Sequence, residues 1–257
     1  MNPTPGIQVV LLDIEGTTCP VSFVSDVLFP YAREQMLAYL QEHHSDSSIR
    51  SLLAEVHAAW QNDFSPGAMA LAKGLNPDDR EASKRDGPDL LPEEAWIYLN
   101  WLIQEDRKLT ALKDLQGLIW EQGYQQKKLI APLFKDVAPA LQRWHQAGIQ
   151  LAVYSSGSVQ AQKLLYGHTN AGDLSHLFSH WFDTRTGCKT QPESYAKIAT
   201  VLKSQPEEIL FISDAPAELV AARQAQMGTI FSCRPGNPHQ QAEGHTRIES
   251  FAAIQLS

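Results

Sequence analysis

Val9-Val10-Leu11-Leu12-Asp13-Ile14-Glu15-Gly16-Thr17-Thr18 is the stretch on which the reading of the fold turns. A four-residue apolar run, β-branched at its start, suits a strand buried on both faces, as strands of parallel sheets are. The acids that follow then stand at the strand's carboxyl end, where open α/β sheets bind ligands. Spacing i, i+2 on an extended chain points both carboxylates to one side. Two like charges in a cleft need a cation between them, or one must take a proton. Taken alone, the stretch is better explained as a strand end at which Asp and Gly turn the chain, and only the rest of the chain can overturn that reading.

Working outward, the chain alternates between strand and helix patterns downstream. Asp136 is placed to cap a helix through Val137, Leu141 and Trp144, ending at Gly148. The strand Ile149-Gln150-Leu151-Ala152-Val153-Tyr154 closes in Ser155-Ser156-Gly157-Ser158, and a helix follows from Val159 to Tyr166. Trp181-Phe182-Asp183 reads as a short extended piece, and Pro192 opens a helix reaching about Lys203. Ile209-Leu210-Phe211-Ile212-Ser213 is a strand ending at Asp214; a helix through Leu219, Ala222 and Ala225 stops at Gly228, and Thr229–Ser232 is the last strand expected. Such alternation implies a doubly wound parallel sheet of Rossmann-like α/β type with right-handed crossovers.

Between Thr18 and Ala131 only helical patterns recur. Val21 to Leu40 has mostly helical spacing, with a break expected at Pro30. Ser48 is placed to cap a helix bearing Ile49, Leu52, Leu53, Val56 and Trp60. Pro92 starts another through Trp96, Leu99 and Leu102, and a further helix carries Leu109, Leu112, Leu115 and Ile119 until Gly123. From Ser65 to Pro92 the chain reads as irregular, punctuated by Pro66-Gly67, Asn76-Pro77-Asp78-Asp79 and Asp86-Gly87-Pro88. The expectation is an α/β core from residues 1–18 and 131–257, with an all-helical cap, 19–130, inserted after the first strand.

The 257 residues are 43% hydrophobic and 19% charged, as in an ordinary soluble protein. A net charge of −8 argues against a nucleic-acid or anionic-membrane binder. It leaves a small phosphorylated substrate open, because a local cation dominates a small site. Cys19, Cys188 and Cys233 lie far apart without CxxC spacing, which fits reduced thiols. No stretch approaches the roughly 18 apolar residues needed to cross a bilayer, and no charged signal-peptide start is seen. A cytoplasmic protein is expected, and a monomer, since an inserted cap shields a site without a partner subunit.

Asp13/Glu15, Ser155/Ser156 and Ser213/Asp214 all end strands, and in a parallel sheet those ends share one edge. Asp13, Asp214 and a backbone carbonyl near Glu15 are hard oxygen donors of the kind Mg²⁺ prefers. Ser155 or Ser156, ahead of Gly157 and a helix start, offers a hydroxyl and N–H groups to an anion, unless it serves only as a helix cap. Lys189, in Thr186-Gly187-Cys188-Lys189-Thr190, could neutralise a phosphate oxygen and restrain a nucleophilic carboxylate. Glu218, one turn after Asp214, either orients the metal site or favours the helix start.

The order of these four elements resembles the haloacid-dehalogenase superfamily. Longer stretches are similar to the enolase-phosphatases of methionine salvage: LLDIEGTTCPVSFVSDVLFPYA (Leu11 to Ala32), DRKLTALKDLQGLIW (Asp106 to Trp120), YSSGSVQAQKLLYGHT (Tyr154 to Thr169), FDTRTGCKTQPESYAKIA (Phe182 to Ala199) and CRPGN (Cys233 to Asn237). Most of the superfamily has Asp where this chain has Glu15, and Glu there marks the enolase-phosphatases. The resemblance implies a Mg²⁺-dependent enzyme with one ion per subunit. It implies enolisation of 2,3-diketo-5-methylthiopentyl 1-phosphate and then removal of the phosphate to leave the acireductone. It also implies Asp13, Glu15 and Asp214 at the metal, Ser155, Ser156 and Lys189 at the substrate, and Asp13, Glu15 and Lys189 in catalysis. A plain phosphatase for another small phosphate ester and a catalytically silent phosphate-binding module are the alternatives. Trp96, Trp101 and Trp120 either read the methylthio tail or fill the cap's core.

Overall fold

In the computed structural model, which describes residues 6–74 and 90–256, the opening apolar run is β1 (Val9–Leu12), with all four side chains buried. The chain leaves it through α1 (Val21–Phe23) and a π-type turn at Val24–Leu28 into α2 (Phe29–His43). Pro30 therefore lies directly after the π-type turn, and the break expected at Pro30 takes the form of that turn. α3 (Ser47–Gln61) starts two residues earlier than expected and has Asp46, not Ser48, at the cap position. α4 (Pro66–Gly74) occupies part of the segment expected to be irregular. Pro66 opens it and the run Ala68-Met69-Ala70-Leu71-Ala72 favours helix strongly enough to outweigh the Pro-Gly turn signal. The signals Asn76-Pro77-Asp78-Asp79 and Asp86-Gly87-Pro88 lie outside the described residues. α5 (Pro92–Gln104) begins where Pro92 placed it, and α6 (Thr110–Gln125) runs through Gly123 rather than stopping there. An interior glycine costs about 1 kcal/mol, which the buried Tyr124 beyond it offsets.

From there strands and helices alternate: α7 (Val137–Gln146), β2 (Gln150–Tyr154), α8 (Val159–Gly167), β3 (Phe178–Phe182), α9 (Pro192–Leu202), β4 (Ile209–Ser213), α10 (Pro216–Gln224), β5 (Gly228–Ser232) and β6 (Thr246–Ile248). The sheet has six strands in the order β3-β2-β1-β4-β5-β6, and every pairing is parallel. It is the expected doubly wound sheet, enlarged at both edges. β3 is a full strand, not the fragment Trp181-Phe182-Asp183, but its middle three residues are incompletely buried. β6 has one buried residue in three, so no periodicity announced it. Gly228 belongs to β5; the left-handed residue after α10 is Gln226, at φ 67°. The core packs Val9, Leu11, Tyr154 and Phe211 of the sheet against Tyr195, Ile198 and Leu202 of α9 and Leu219 and Ala222 of α10.

The chain divides into two compact units, one of residues up to Leu28 with those from Tyr124 onward, the other Phe29–Gly123. Among the described residues the second unit contains helices and no strand. The three cysteines are free. No helix among the described residues is long and apolar enough to cross a membrane.

Candidate active site

The strand order reverses between β1 and β4, and ligands of doubly wound sheets bind in the crevice at that point. The register pairs Leu12 with Ile212, so Asp13 emerges beside Ser213 and Asp214. The N–H of Asp13 still donates to Ile212 O, at 3.0 Å, which fixes the first residue after the strand. The next residues curl tightly, with the N–H groups of Thr17, Thr18 and Cys19 all donating to Ile14 O. Gly16 makes that curl possible with φ 68°, and a Cβ there would overlap Asp214 Oδ2. The Asp214 carboxylate thus lies against the backbone of the β1 loop. Asn237 Nδ2 and Ser232 Oγ donate to Gly16 O at 2.8 and 3.2 Å. The Asn of CRPGN fastens the loop that carries the acids, a duty not readable from its motif. Its Arg234 binds Asp136 with both terminal nitrogens at 2.9 Å, so the Asp136 carboxylate is committed there and makes no helix cap.

Lys189 reaches this point from the loop ahead of α9. Its buried Nζ lies 2.7 Å from Asp13 Oδ1 and 2.7 Å from Glu218 Oε2. Ser213 Oγ stands between the same acids, 3.2 Å from Asp13 Oδ2 and 3.0 Å from Glu218 Oε2, and accepts the N–H of Ala215. Burial works against the ammonium, but the carboxylates of Asp13 and Glu218 outweigh it and hold the Lys189 pKa above its ordinary range. Glu218, which sequence reasoning left between two roles, is thus a direct partner of the lysine.

The hydroxyls of β2 close a third side. The N–H of Ser155 donates to Phe182 O at 3.2 Å, and its buried Oγ accepts the N–H of Gly157 at 3.4 Å. Ser156 is exposed beside it. The cap of α8 is Ser158, which accepts from the N–H of Ala161, so neither Ser155 nor Ser156 is occupied as that cap. Buried Gln162 donates to both Gly157 O and Phe182 O at 2.8 Å, tying the serine loop to the end of β3.

The acids outnumber the cations. Burial first, then the charge of Asp13, pushes Asp214 up to about 7, and the same two causes raise Glu15. Among the described residues, Asp13, Glu15, Asp214 and Glu218 face a single ammonium, Lys189, so the site is short of positive charge. A divalent cation would supply it, and a donor set of carboxylate and main-chain oxygens, without thiolate or imidazole, suits Mg²⁺. Among the described residues no three His, Cys, Asp or Glu side chains gather as a metal-holding group. The donors at hand are the carboxylates of Asp13 and Asp214 together with main-chain oxygen of the β1 loop.

The haloacid dehalogenase-like hydrolase family model matches residues 7–226. The enolase-phosphatase E1 of Parasynechococcus marenigrum strain WH8102 is 48% identical over 242 residues, 94% of this chain and 95% of that one. The protein of the same name from Synechococcus sp. strain RCC307 is 49% identical over 252 residues, 98% of this chain and 95% of its own. Among solved structures, the UTR4 protein of Saccharomyces cerevisiae superposes with a TM-score of 0.74 at 31% identity, covering 96% of this chain and 100% of that one.

Proposed function

The chain belongs to the haloacid dehalogenase-like hydrolases and, within them, to the enolase-phosphatases, and from that membership we propose that Asp13, Glu15, Asp214, Lys189, Ser155 and Ser156 carry both of its reactions. The enzyme acts in methionine salvage. It enolises 2,3-diketo-5-methylthiopentyl 1-phosphate to 2-hydroxy-3-keto-5-methylthiopentenyl 1-phosphate and then dephosphorylates that to the acireductone. The pair formed by Lys189 and Asp13, at 2.7 Å on the edge where the strand order reverses, carries the assignment of residues.

Asp13 is the nucleophile. A carboxylate oxygen attacks phosphorus, the bond to the enol oxygen breaks, and an aspartyl-phosphate results. Lys189 holds the Asp13 carboxylate by their 2.7 Å pair and neutralises charge that builds on the phosphoryl oxygens. Ser155 and Ser156, with the N–H groups at the start of α8, hold the phosphate while the bond breaks. Glu15, whose pKa is raised by burial and then by Asp13, gives a proton to the leaving enol oxygen and then takes one from the water that hydrolyses the aspartyl-phosphate. Asp13, Asp214 and main-chain oxygen next to Glu15 would hold Mg²⁺, which would supply Lewis-acid stabilisation of the enediolate and of the phosphate.

The catalytic domain is residues 1–18 with 131–257, and residues 19–130 form the cap that reads the substrate's tail. The enzyme works as a cytoplasmic monomer on a small phosphorylated substrate, without nucleic acid or membrane. Turnover of the diketo phosphate with and without Mg²⁺, following enol and phosphate separately, tests this. Both products are expected only with the metal, and Asp13→Asn should stop phosphate release. Undiminished release by Asp13→Asn would remove Asp13 as nucleophile.

A further inference from the structure

Lys189 can aim its ammonium only as well as its own backbone is held, and that backbone lies in a loop, Asp183 to Gln191, between β3 and α9. Two main-chain turns span parts of this loop: the N–H of Thr186 donates to Asp183 O and that of Gln191 to Cys188 O. The carbonyls around the lysine are held by side chains. Tyr154 OH donates to Gly187 O at 3.0 Å, Ser194 Oγ to Cys188 O at 2.8 Å, and Tyr195 OH to Lys189 O at 2.7 Å. Three successive carbonyls each receive a hydroxyl, and the last is the lysine's own.

All three donors are buried. They come from rigid elements: Tyr154 ends β2, and Ser194 and Tyr195 lie in the first turn of α9. The rings of Tyr154 and Tyr195 meet edge to face at 5.6 Å, and Tyr195 packs on Phe211 of β4 at 5.2 Å. The hydroxyls are therefore fixed by the core of the sheet. The Tyr154 ring also lies 5.7 Å from Lys189 Nζ, within cation–π range. Position 187 must be glycine for the set to close, because a Cβ there would overlap Ser194 Oγ.

We propose that Tyr154, Ser194 and Tyr195 are positioning residues that clamp three consecutive carbonyls of the lysine loop and so keep the Lys189 ammonium on Asp13. The clamp rests on the role assigned to Lys189 above and adds to it a cause for the lysine's placement. Packing alone would need the two rings and not their hydroxyls. A ring without its hydroxyl leaves one loop carbonyl unpaired in a dry place, and the loop must shift to find water. Ångström-scale displacement of a group that stabilises charge in the transition state lowers turnover more than it lowers binding.

Tyr195→Phe, Tyr154→Phe and Ser194→Ala each delete one hydroxyl and keep the packing. The expected result for Tyr195→Phe is a fall in kcat for phosphate release by about tenfold to a hundredfold with KM nearly unchanged. Amide hydrogen exchange should quicken in the peptide spanning 186–190 and stay as in the wild type in β1 and β4. Ser194→Thr should recover most of what Ser194→Ala loses. Thr200→Ala is the control, since Thr200 Oγ1 donates to Ala196 O within α9. Wild-type kcat in all three deletions, with exchange in 186–190 unaltered, overturns the clamp while leaving Lys189 in its role. A lowered melting point, faster exchange throughout the core and unchanged kcat would show a merely structural role and overturn it as well. Lys189→Met decides the reading underneath: full activity in that variant removes the lysine from catalysis and the clamp's catalytic purpose with it.

Discussion

Glutamate at position 15 places its carboxyl one methylene further from the backbone than aspartate would. The Glu15 side chain leaves a curl closed by three N–H groups on Ile14 O, is half-buried, and has its pKa raised by burial and then by Asp13. A carboxyl that reaches further can serve at two points: as a carboxylate it takes the proton that the carbon loses in enolisation, and as the acid so formed it gives a proton to the enol oxygen that leaves. Glu15→Gln is therefore expected to slow both steps, by roughly two to four orders of magnitude each. Stopped-flow absorbance of the enol phosphate beside a phosphate assay separates them. Enolisation at the wild-type rate with phosphate release blocked would confine Glu15 to the second step. Asp13, Ser155, Ser156 and Asp214 were legible as candidates because each terminates or follows an apolar run, and such runs are visible in sequence; Lys189 was singled out instead as the cation of a polar loop. Tyr154, Gln162, Ser194, Tyr195 and Asn237 were not. A buried hydroxyl or amide at the start of a helix or the end of a strand reads as core or cap until the carbonyl it serves is seen.

Among the elements, interior strands were readable and edges were not. β1, β2 and β4 are continuous apolar runs because both faces are covered, whereas β3 and β6 lie at the sheet's two edges and carry no such run. The helical unit shows the converse, since α4 was hidden by a Pro-Gly pair that opens it. What fixes α4 against its neighbours is an aromatic and ionic knot. Trp60 stacks on Tyr98 at 4.9 Å, Gly67 leaves room for the ring of Trp101, and Trp60 Nε1 donates to Ala68 O. Trp101, offered by the sequence as a possible reader of the substrate's tail, is engaged with Tyr98 and with the Arg107 guanidinium, 4.9 Å from its ring centroid. Asp63 ties these parts together, accepting from Arg107 at 2.6 Å, Tyr98 OH at 3.0 Å and the N–H of Ser65 at 3.1 Å. Burial raises its pKa, but the bonds from Ser65, Arg107 and Tyr98 prevail and leave it at about 2, below its ordinary 3.8. A carboxyl depressed in the folded state stabilises above its unfolded pKa and loses that contribution as pH falls through the folded one. The helical unit should therefore weaken between about pH 4 and pH 2. Asp63→Asn should lower stability by about 1–3 kcal/mol at neutral pH and flatten this acid limb. Urea titrations followed by circular dichroism at pH 6, 4 and 2.5 check both, and equal pH dependence in the two proteins would show that the knot is elsewhere.

For the whole molecule the deciding quantity is charge at the sheet's edge, where Asp13, Glu15, Asp214 and Glu218 share one lysine in a protein already at −8. Asp214, lifted to about 7 by burial and by Asp13, has a folded pKa above its unfolded value of 3.8. Its contribution to stability is then complete below the unfolded pKa and is lost as pH rises through about 7. The metal-free protein should consequently melt lower at pH 8 than at pH 5.5. Asp136, depressed through Arg234 and the N–H of Phe251 against the pull of burial, is fully ionised across that interval and adds no slope there. His245 acts in the opposite sense, because burial and then Arg223 lower its pKa, so its charging destabilises the acid side. The two are told apart by Asp214→Asn, which should lessen the fall toward pH 8, to which Glu218, also raised to about 7 by burial and then Asp13, still contributes, and leave the His245 contribution in place. Mg²⁺ competes with the proton for the same carboxylate, so its stabilisation should grow with pH. At a hundred times its dissociation constant it is worth about 2.7 kcal/mol, enough to reverse the deficit at pH 8. Differential scanning calorimetry at both pH values, with Mg²⁺ and with a chelator, reads this directly. A chelated protein that melts higher at pH 8 than at pH 5.5, or a Mg²⁺ shift of equal size at both, would mean that Asp214 does not hold the proton that the metal displaces.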